Sequence, residues 1–459
     1  MHWTTHLEGG PKRVNHAAVA VGQYVYSFGG YCTGDNYGLL KPIDCHILDT
    51  ETLRWKLNTT SCDLQKLCDP SQQRLESEVP FQRYGHTAVA NGDMVYIWGG
   101  RNDIYADNTL YCFDTSAGDW TDRPPVTGNI PGARDGHTAV AIADKMYIFG
   151  GYEELTERFS NDIYCLDLQT YVWSYVKASG TPPSWRDFHS AVAYGNRMYV
   201  FGGRSDRSGP NHSQQELYCN VIMYFDVATN AWVTPDTRGL RPTGRRSHSS
   251  FVYSDNIYVF GGYNGVDRVH YNDLYKFDPK TSQWSLMEVH GRRRPCARRR
   301  QCCCVVADRL YLFGGTSPYL MQQMVGPSPP YYSHIDLGLR DHSDLFILDF
   351  NSGWDGMGSK ESEDCPLLCL HFTSNRFLSS YKEWDVKEDD MKGCLRGGEG
   401  REREAYSVKG GREPSLKTLS ILVAIEKELI SKDLPKNIQL EIEMMTKDNA
   451  ITRISPNMG

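Results

Sequence analysis

Six times along this chain a short apolar run ends in a Gly-Gly pair: Gly29-Gly30, Gly99-Gly100, Gly150-Gly151, Gly202-Gly203, Gly261-Gly262 and Gly314-Gly315. The first interval is 70 residues and the other four are 51 to 59. That is the period of a four-stranded propeller blade, with a loop insertion in the first unit. Five of the pairs are followed, about 20 to 30 residues on, by Trp55, Trp120, Trp173, Trp232 and Trp284. The repeat predicts an all-β ring of six blades and moves function into the loops.

The sixth unit lacks its tryptophan. Trp354 lies 39 residues past Gly315, beyond the strand-like Leu345-Phe346-Ile347-Leu348. Trp3, in Trp3-Thr4-Thr5-His6-Leu7, looks like an outer strand with no blade of its own. A ring left open would present unpaired edges, which template aggregation. The N-terminal segment is therefore expected to complete blade six, and residues 1–350 to form one domain.

Within a unit, Lys145-Met146-Tyr147-Ile148-Phe149-Gly150-Gly151 reads as a strand buried near the ring axis. The glycines suit a tight strand exit at positive φ. Asn161 to Asp167 reads as the next strand and Trp173 as the packing residue of the outer one. His16, His86, His137, His189 and His248 recur at one point of the repeat. A residue placed alike in five units is a scaffold residue, which removes most candidate histidine bases. No Gly-x-Ser-x-Gly, phosphate loop or His-Glu-x-x-His competes, so no catalytic residue and no enzyme activity is assigned.

Composition points to a soluble intracellular protein. No apolar run approaches the roughly 20 residues of a membrane helix, and no basic-then-apolar leader opens the chain, so no membrane partner is expected. The 14 cysteines, with Cys302, Cys303 and Cys304 adjacent in a strand-like run, read as reduced thiols. Cys365 to His371 lacks a second ligand pair, so no metal and no cofactor is assigned. The net charge of −7 argues against nucleic acid as the main partner. The runs Arg292-Arg293-Arg294 and Arg298-Arg299-Arg300 keep a chromatin- or nucleic-acid-binding module as the alternative.

An arginine recurs before each small-residue strand: Arg13, Arg83, Arg134, Arg186, Arg245 and Arg299. Loop bracing is the plain reading of these. The residues just after them vary, as do those after each Gly-Gly pair, among them Tyr84, Arg101, Tyr152, Arg204 and Tyr263. Both loop sets would emerge on one face around the axis. Arg204, Arg246 and Arg101 would converge there with Tyr152, Tyr263 and Phe188. Guanidinium forks match a carboxylate or phosphate, and aromatic walls exclude water.

The strand, Gly-Gly, Tyr, Trp order resembles the kelch repeat over residues 3–350. Gly9 to Ala20, Trp185 to Ala191 and Arg298 to Cys304 are similar to the kelch-domain substrate receptors of cullin-2 RING ubiquitin ligases. That resemblance implies recognition of substrate proteins by a C-terminal glycine, followed by ubiquitination. It also implies that Tyr152, Arg204 and Ser247 with Arg246 hold the terminal carboxylate. Asp135 and Asp187 depart from the family pattern. They suit either a basic residue before the terminal glycine or salt bridges that orient Arg134 and Arg186. With Tyr84 and Arg186 these complete the expected substrate-binding set.

Residues 351–413, mixed in charge and rich in glycine, read as a disordered insertion. An isoform segment and a translated intron both fit it. Residues 414–459 switch to helical periodicity. Leu416, Leu419 and Val423 fall on one stripe behind Pro414-Ser415, and a second helix starts at Leu434-Pro435. The first helix resembles an elongin-binding box through Ser415, Leu416 and Ala424, with Ser420 where that box usually has cysteine, and Leu419 joins them as an expected adaptor contact. The second resembles a cullin-2 box through Leu434, Pro435 and Ile438. The partners implied are elongin B, elongin C, cullin-2 and the RING-box subunit, in the cytoplasm and also the nucleus. Helices packed on the propeller's own side are the competing reading.

Overall fold

The computed structural model describes residues 1–58, 79–319 and 338–351, together with the backbone of two short strands, Leu370–His371 and Thr452–Arg453. The described residues fold into strands and turns, with no helix. Their main architecture is six sheets, each built on four antiparallel strands, and four of them carry a short parallel fifth strand at the outer edge. Sheet one comprises Ala17–Val21, Tyr24–Phe28, Cys45–Asp49 and Arg54–Leu57. Sheet two comprises Tyr84–Asn91, Met94–Arg101, Leu110–Asp114 and Asp119–Trp120. Sheet three, built alike, comprises Thr138–Ile142, Lys145–Phe149, Ile163–Asp167 and Val172–Tyr175. Sheet six begins with Cys302–Val306, Arg309–Phe313 and Leu345–Asp349. In five of the sheets the second strand is buried at every residue after its first, which is why it reads as a nearly continuous apolar run.

The first strands of successive sheets pack side by side and return to the start, so the sheets form a closed ring. A belt of backbone hydrogen bonds marks that closure. The N–H groups of Gly85, Gly136, Phe188, Ser247, Arg300 and Asn15 each donate to the carbonyl of the equivalent residue one sheet back, at 2.7–3.1 Å. Asn15 donates to Arg300 and completes the circle. All six residues have positive φ, from 50° to 71°. Two are glycines and four are not, so the belt imposes a left-handed conformation that side chains normally avoid.

The tryptophans close the same circle further out. Each packs on the aromatic that precedes the Gly-Gly pair of the sheet before it. The pairs are Trp120 on Phe28, Trp173 on Trp98, Trp232 on Phe149, Trp284 on Phe201, Trp3 on Phe260 and Trp55 on Phe313, with centroids 4.8–6.0 Å apart. Trp3 thus fills the sixth place. Its strand, His2–Leu7, pairs antiparallel with Leu345–Asp349 as the fourth strand of sheet six.

The doublet has a steric cause. A Cβ on Gly150 would lie 2.8 Å from Cε1 of His189 in the next sheet, and one on Gly151 would lie 2.8 Å from Cβ of His137 in its own. The histidines wedge between sheets. Thr138 Oγ1 and His189 Nε2 are 2.7 Å apart, as are Ser190 Oγ and His248 Nε2. Burial and a neighbouring arginine hold His137, His189 and His248 far below the usual imidazole range, so they are neutral braces.

Within the stretch read as an insertion, Leu370–His371 runs parallel to the outer edge of the N-terminal strand, and within the tail read as helical Thr452–Arg453 lies parallel to Arg54–Leu57. The rest of 352–413 and both motifs of the tail, Leu416, Leu419, Ser420, Ala424, Leu434, Pro435 and Ile438, lie outside the described residues.

Candidate functional site

The loops that leave each second strand and enter each first strand meet at one end of the ring. Short bridges zip them together: Arg101 to Tyr84, Asp135 to Tyr152, Asp187 to Arg204, Arg246 to Tyr263 and Arg299 to Thr316. In the arginine repeat, the side chain just before each bridging residue is scaffold. Nη1 of Arg83, Arg134, Arg186, Arg245 and Arg298 donates to the carbonyl of the first glycine of its own doublet, at 2.7–3.2 Å. Four of the five also meet a carboxylate: Asp107, Glu153, Asp273 and Asp344 respectively for Arg83, Arg134, Arg245 and Arg298.

Three expectations change. Arg186 is buried against Gly202 and Ser184, so it belongs to the scaffold and not to the lining. In sheet six the scaffold arginine is Arg298, one residue before the expected Arg299. Arg299 and Arg300 therefore take the variable positions. The signal was present in the sequence: Arg298-x-x-Gln301 matches Arg245-x-x-His248, with glutamine in the histidine's place. The proposed pairing of Asp135 and Asp187 with Arg134 and Arg186 also changes. Asp187 instead receives Nε of Arg204 at 3.1 Å and Nη2 in a second bond.

The axial mouth is a cavity of about 140 Å³ whose wall alternates belt residues with the histidine braces. Gly85 and Gly136 leave it open on one side, while Phe188, Ser247 and Arg300 wall the other. Arg204 lies 5.9 Å from the Phe188 ring centre and 5.3 Å from that of Phe159. Arg300 lies 5.7 Å from Phe188, and Arg299 4.4 Å from Tyr263. Arg246 sits between Tyr218 and Tyr263. Arg101, Tyr84 and Tyr152 stand on the sheet-two and sheet-three side, with Arg101 3.7 Å from Glu154 and Tyr84 donating to Asp103 at 3.3 Å. Phe159, Glu216, Tyr218, Arg299 and Arg300 join the set that sequence proposed.

Charge at the mouth is mixed. Asp135 is buried beside Asp187, and its pKa is pushed up to about 7, with Arg101, Arg204 and Arg300 pulling the other way. Arg300 is lowered to about 10 by burial and by Arg299, Arg246 and Arg204, and it stays cationic at neutral pH. Among the described residues no carboxylate lies within ion-pair distance of Arg300, although Asp187 acts on it from further off.

Residues 85–315 match the KLHDC2/KLHL20/DRC7 Kelch-repeats domain. Kelch domain-containing protein 3 of Rattus norvegicus is 51% identical over 353 residues, which span 76% of this chain and 87% of the relative. The Homo sapiens protein of that name is 50% identical over 352 residues, with the same coverage. The chain belongs to the kelch domain-containing protein 3 family. Host cell factor 2 of Homo sapiens is 33% identical over 255 residues, covering 52% of this chain and 31% of the relative. As a family member, the chain is a kelch-repeat module of the protein-binding kind, an interaction fold that is typically not catalytic.

Proposed function

We propose that the mouth of this ring receives the C-terminal carboxylate of a protein ending in glycine, and that the chain presents such proteins to a cullin-2 RING ubiquitin ligase. Arg300 carries the first half. It is a desolvated cation at the end of the axial cavity, with three more guanidiniums around it. Burying a charge without a paired charge is costly, so a ligand anion gains by completing it. A chain terminus enters such a funnel end-on. The cavity beside Gly85 and Gly136 has room for a residue without a side chain. Nearby Asp135, Asp187 and Glu216 disfavour a dianionic phosphate more than a monoanionic carboxylate.

The ligase half rests on the family and on the order of the tail motifs. Leu416 and Leu419 would seat elongin C, with elongin B and the RING-box subunit joining through it and cullin-2. Leu434-Pro435 would meet cullin-2 itself.

Calorimetry on the full chain tests the recognition half with two peptides ending in Ala-Gly, one a free acid and one amidated. The acid is expected to bind and the amide to lose most of its affinity. Arg300→Ala removes one partner of a desolvated carboxylate, a loss of roughly 2–5 kcal/mol, and is expected to weaken the acid by at least about 30-fold. Equal binding of acid and amide would overturn the reading.

A further inference from the structure

Glu216 is a carboxylate already seated between two of the arginines at the mouth. One oxygen, Oε1, is 3.5 Å from Nη1 of Arg204 and 3.5 Å from Nη1 of Arg246, bridging guanidiniums from two neighbouring sheets. The other oxygen accepts the Tyr218 hydroxyl. We propose that Glu216 is a built-in placeholder carboxylate, which holds the arginine pair in the empty site and is displaced when a terminal carboxylate enters. The inference rests on the reading above and adds a regulatory residue to it.

The local architecture fits that role. Arg204–Asp206 and Glu216–Tyr218 form a short antiparallel ladder, with Asp206 opposite Glu216 and Arg204 opposite Tyr218. Arg204 and Glu216 are therefore diagonal neighbours, within reach of long side chains. Asp206 anchors the turn between them by accepting the N–H groups of Ser208 and Ser213. Phe159 N–H donates to the Pro210 carbonyl at 2.7 Å and ties the loop to sheet three. Glu216 is thus held over the mouth by backbone, while its side chain stays partly exposed, at 23%.

The contacts are graded in strength. Asp187 grips Arg204 through two oxygens and is almost fully buried, as a permanent partner would be. Glu216 makes longer, single-oxygen contacts and faces solvent, as an exchangeable partner would. Burial opposes its ionisation, but the Tyr218 hydroxyl, Arg246 and Arg204 outweigh that and hold its pKa below the usual range. Glu216 is therefore charged at neutral pH and competes for the same cations. A Cβ on Gly265 would lie 2.7 Å from Glu216 Oε2 and 2.6 Å from the Tyr218 hydroxyl. The absence of a side chain at that position is what lets the pair seat.

Calorimetry on the full chain compares the wild type with Glu216→Gln and Tyr218→Phe, using free-acid peptides ending in Ala-Gly and in Arg-Gly. Removing an exposed ion-pair competitor is worth up to about 1 kcal/mol, or roughly fivefold. Glu216→Gln is expected to tighten both peptides by about twofold to fivefold. Tyr218→Phe, which only loosens the glutamate, should tighten both by less. Unchanged affinity in Glu216→Gln overturns the placeholder. So does weakening confined to the Arg-Gly peptide, which would make Glu216 a direct reader of the basic side chain. The wild-type comparison of acid with amide separates failure of this idea from failure of the carboxylate reading: an acid-selective wild type with an unresponsive Glu216→Gln sinks only the placeholder.

Discussion

Asp135 lies at the mouth between Asp187 and three arginines, and its pKa of about 7 falls inside the working range of the cell. Burial is the first cause and the Asp187 carboxylate the second. The direction of the pH effect follows from the sign of the shift. The folded pKa lies above the ordinary carboxylate value of about 3.9, so Asp135 is protonated below neutrality and ionised above it. For the free protein, ionising it loses stability progressively as pH rises above about 4 and through 7. For binding, a ligand carboxylate held by Arg300 and Arg204 favours the protonated form, so association takes up a proton. Affinity for an Ala-Gly acid should fall as pH rises from 6 to 8, and Asp135→Asn should flatten that profile. The histidine braces do not contribute, because His137, His189 and His248 stay neutral across this window. A wild-type profile as flat as that of Asp135→Asn would show that the ligand charge lies away from this residue.

Among the elements, the N-terminal strand makes the sharpest test. Trp3 is 4% exposed and packs edge-on against Phe260 and Phe346, and its contact with Phe260 is the one its five counterparts make elsewhere. Trp3→Ala should cost about 3–5 kcal/mol of stability, the range for truncating a buried aromatic, and lower the denaturant midpoint accordingly. Removing residues 1–8 should do more, because it exposes the edge of Leu345–Asp349 and promotes association. A truncated protein with an unchanged midpoint would place ring closure elsewhere. The strands and this closure were legible because burial and spacing are written in the pattern itself: apolar second strands, Gly-Gly exits, and one tryptophan missing where Trp3 was spare. The loops were less legible. Replacement of histidine by Gln301 hid the arginine repeat in sheet six, and a slip of one residue exchanged scaffold Arg298 for site residue Arg299. Glu216 was invisible for a different reason, since its place depends on which residue of a hairpin faces Asp206, and that register is set by the turn.

At the scale of the whole molecule, capture and delivery are assigned to separate parts of the chain. In the proposed reading the captured anion meets side chains carried by loops of a ring, and the ring is held by a hydrogen-bond belt and six inter-sheet aromatic contacts. The belt and the site share residues: Phe188, Ser247 and Arg300 are strained belt positions whose side chains line the mouth. Strain of this kind persists only where the surroundings over-determine it, and the closed circle supplies that constraint. Delivery is assigned to 414–459, which the repeat does not include. The two activities should therefore separate by mutation. Leu416→Lys replaces an apolar anchor by a charge that an apolar groove cannot pair. It should abolish co-purification of elongin C while leaving affinity for an Ala-Gly acid within about twofold of wild type, since the proposal gives Leu416 no part in the mouth. Arg300→Ala should do the reverse. Normal recovery of elongin C by Leu416→Lys would remove the box assignment, and a parallel loss of peptide affinity would show that the tail packs on the ring instead.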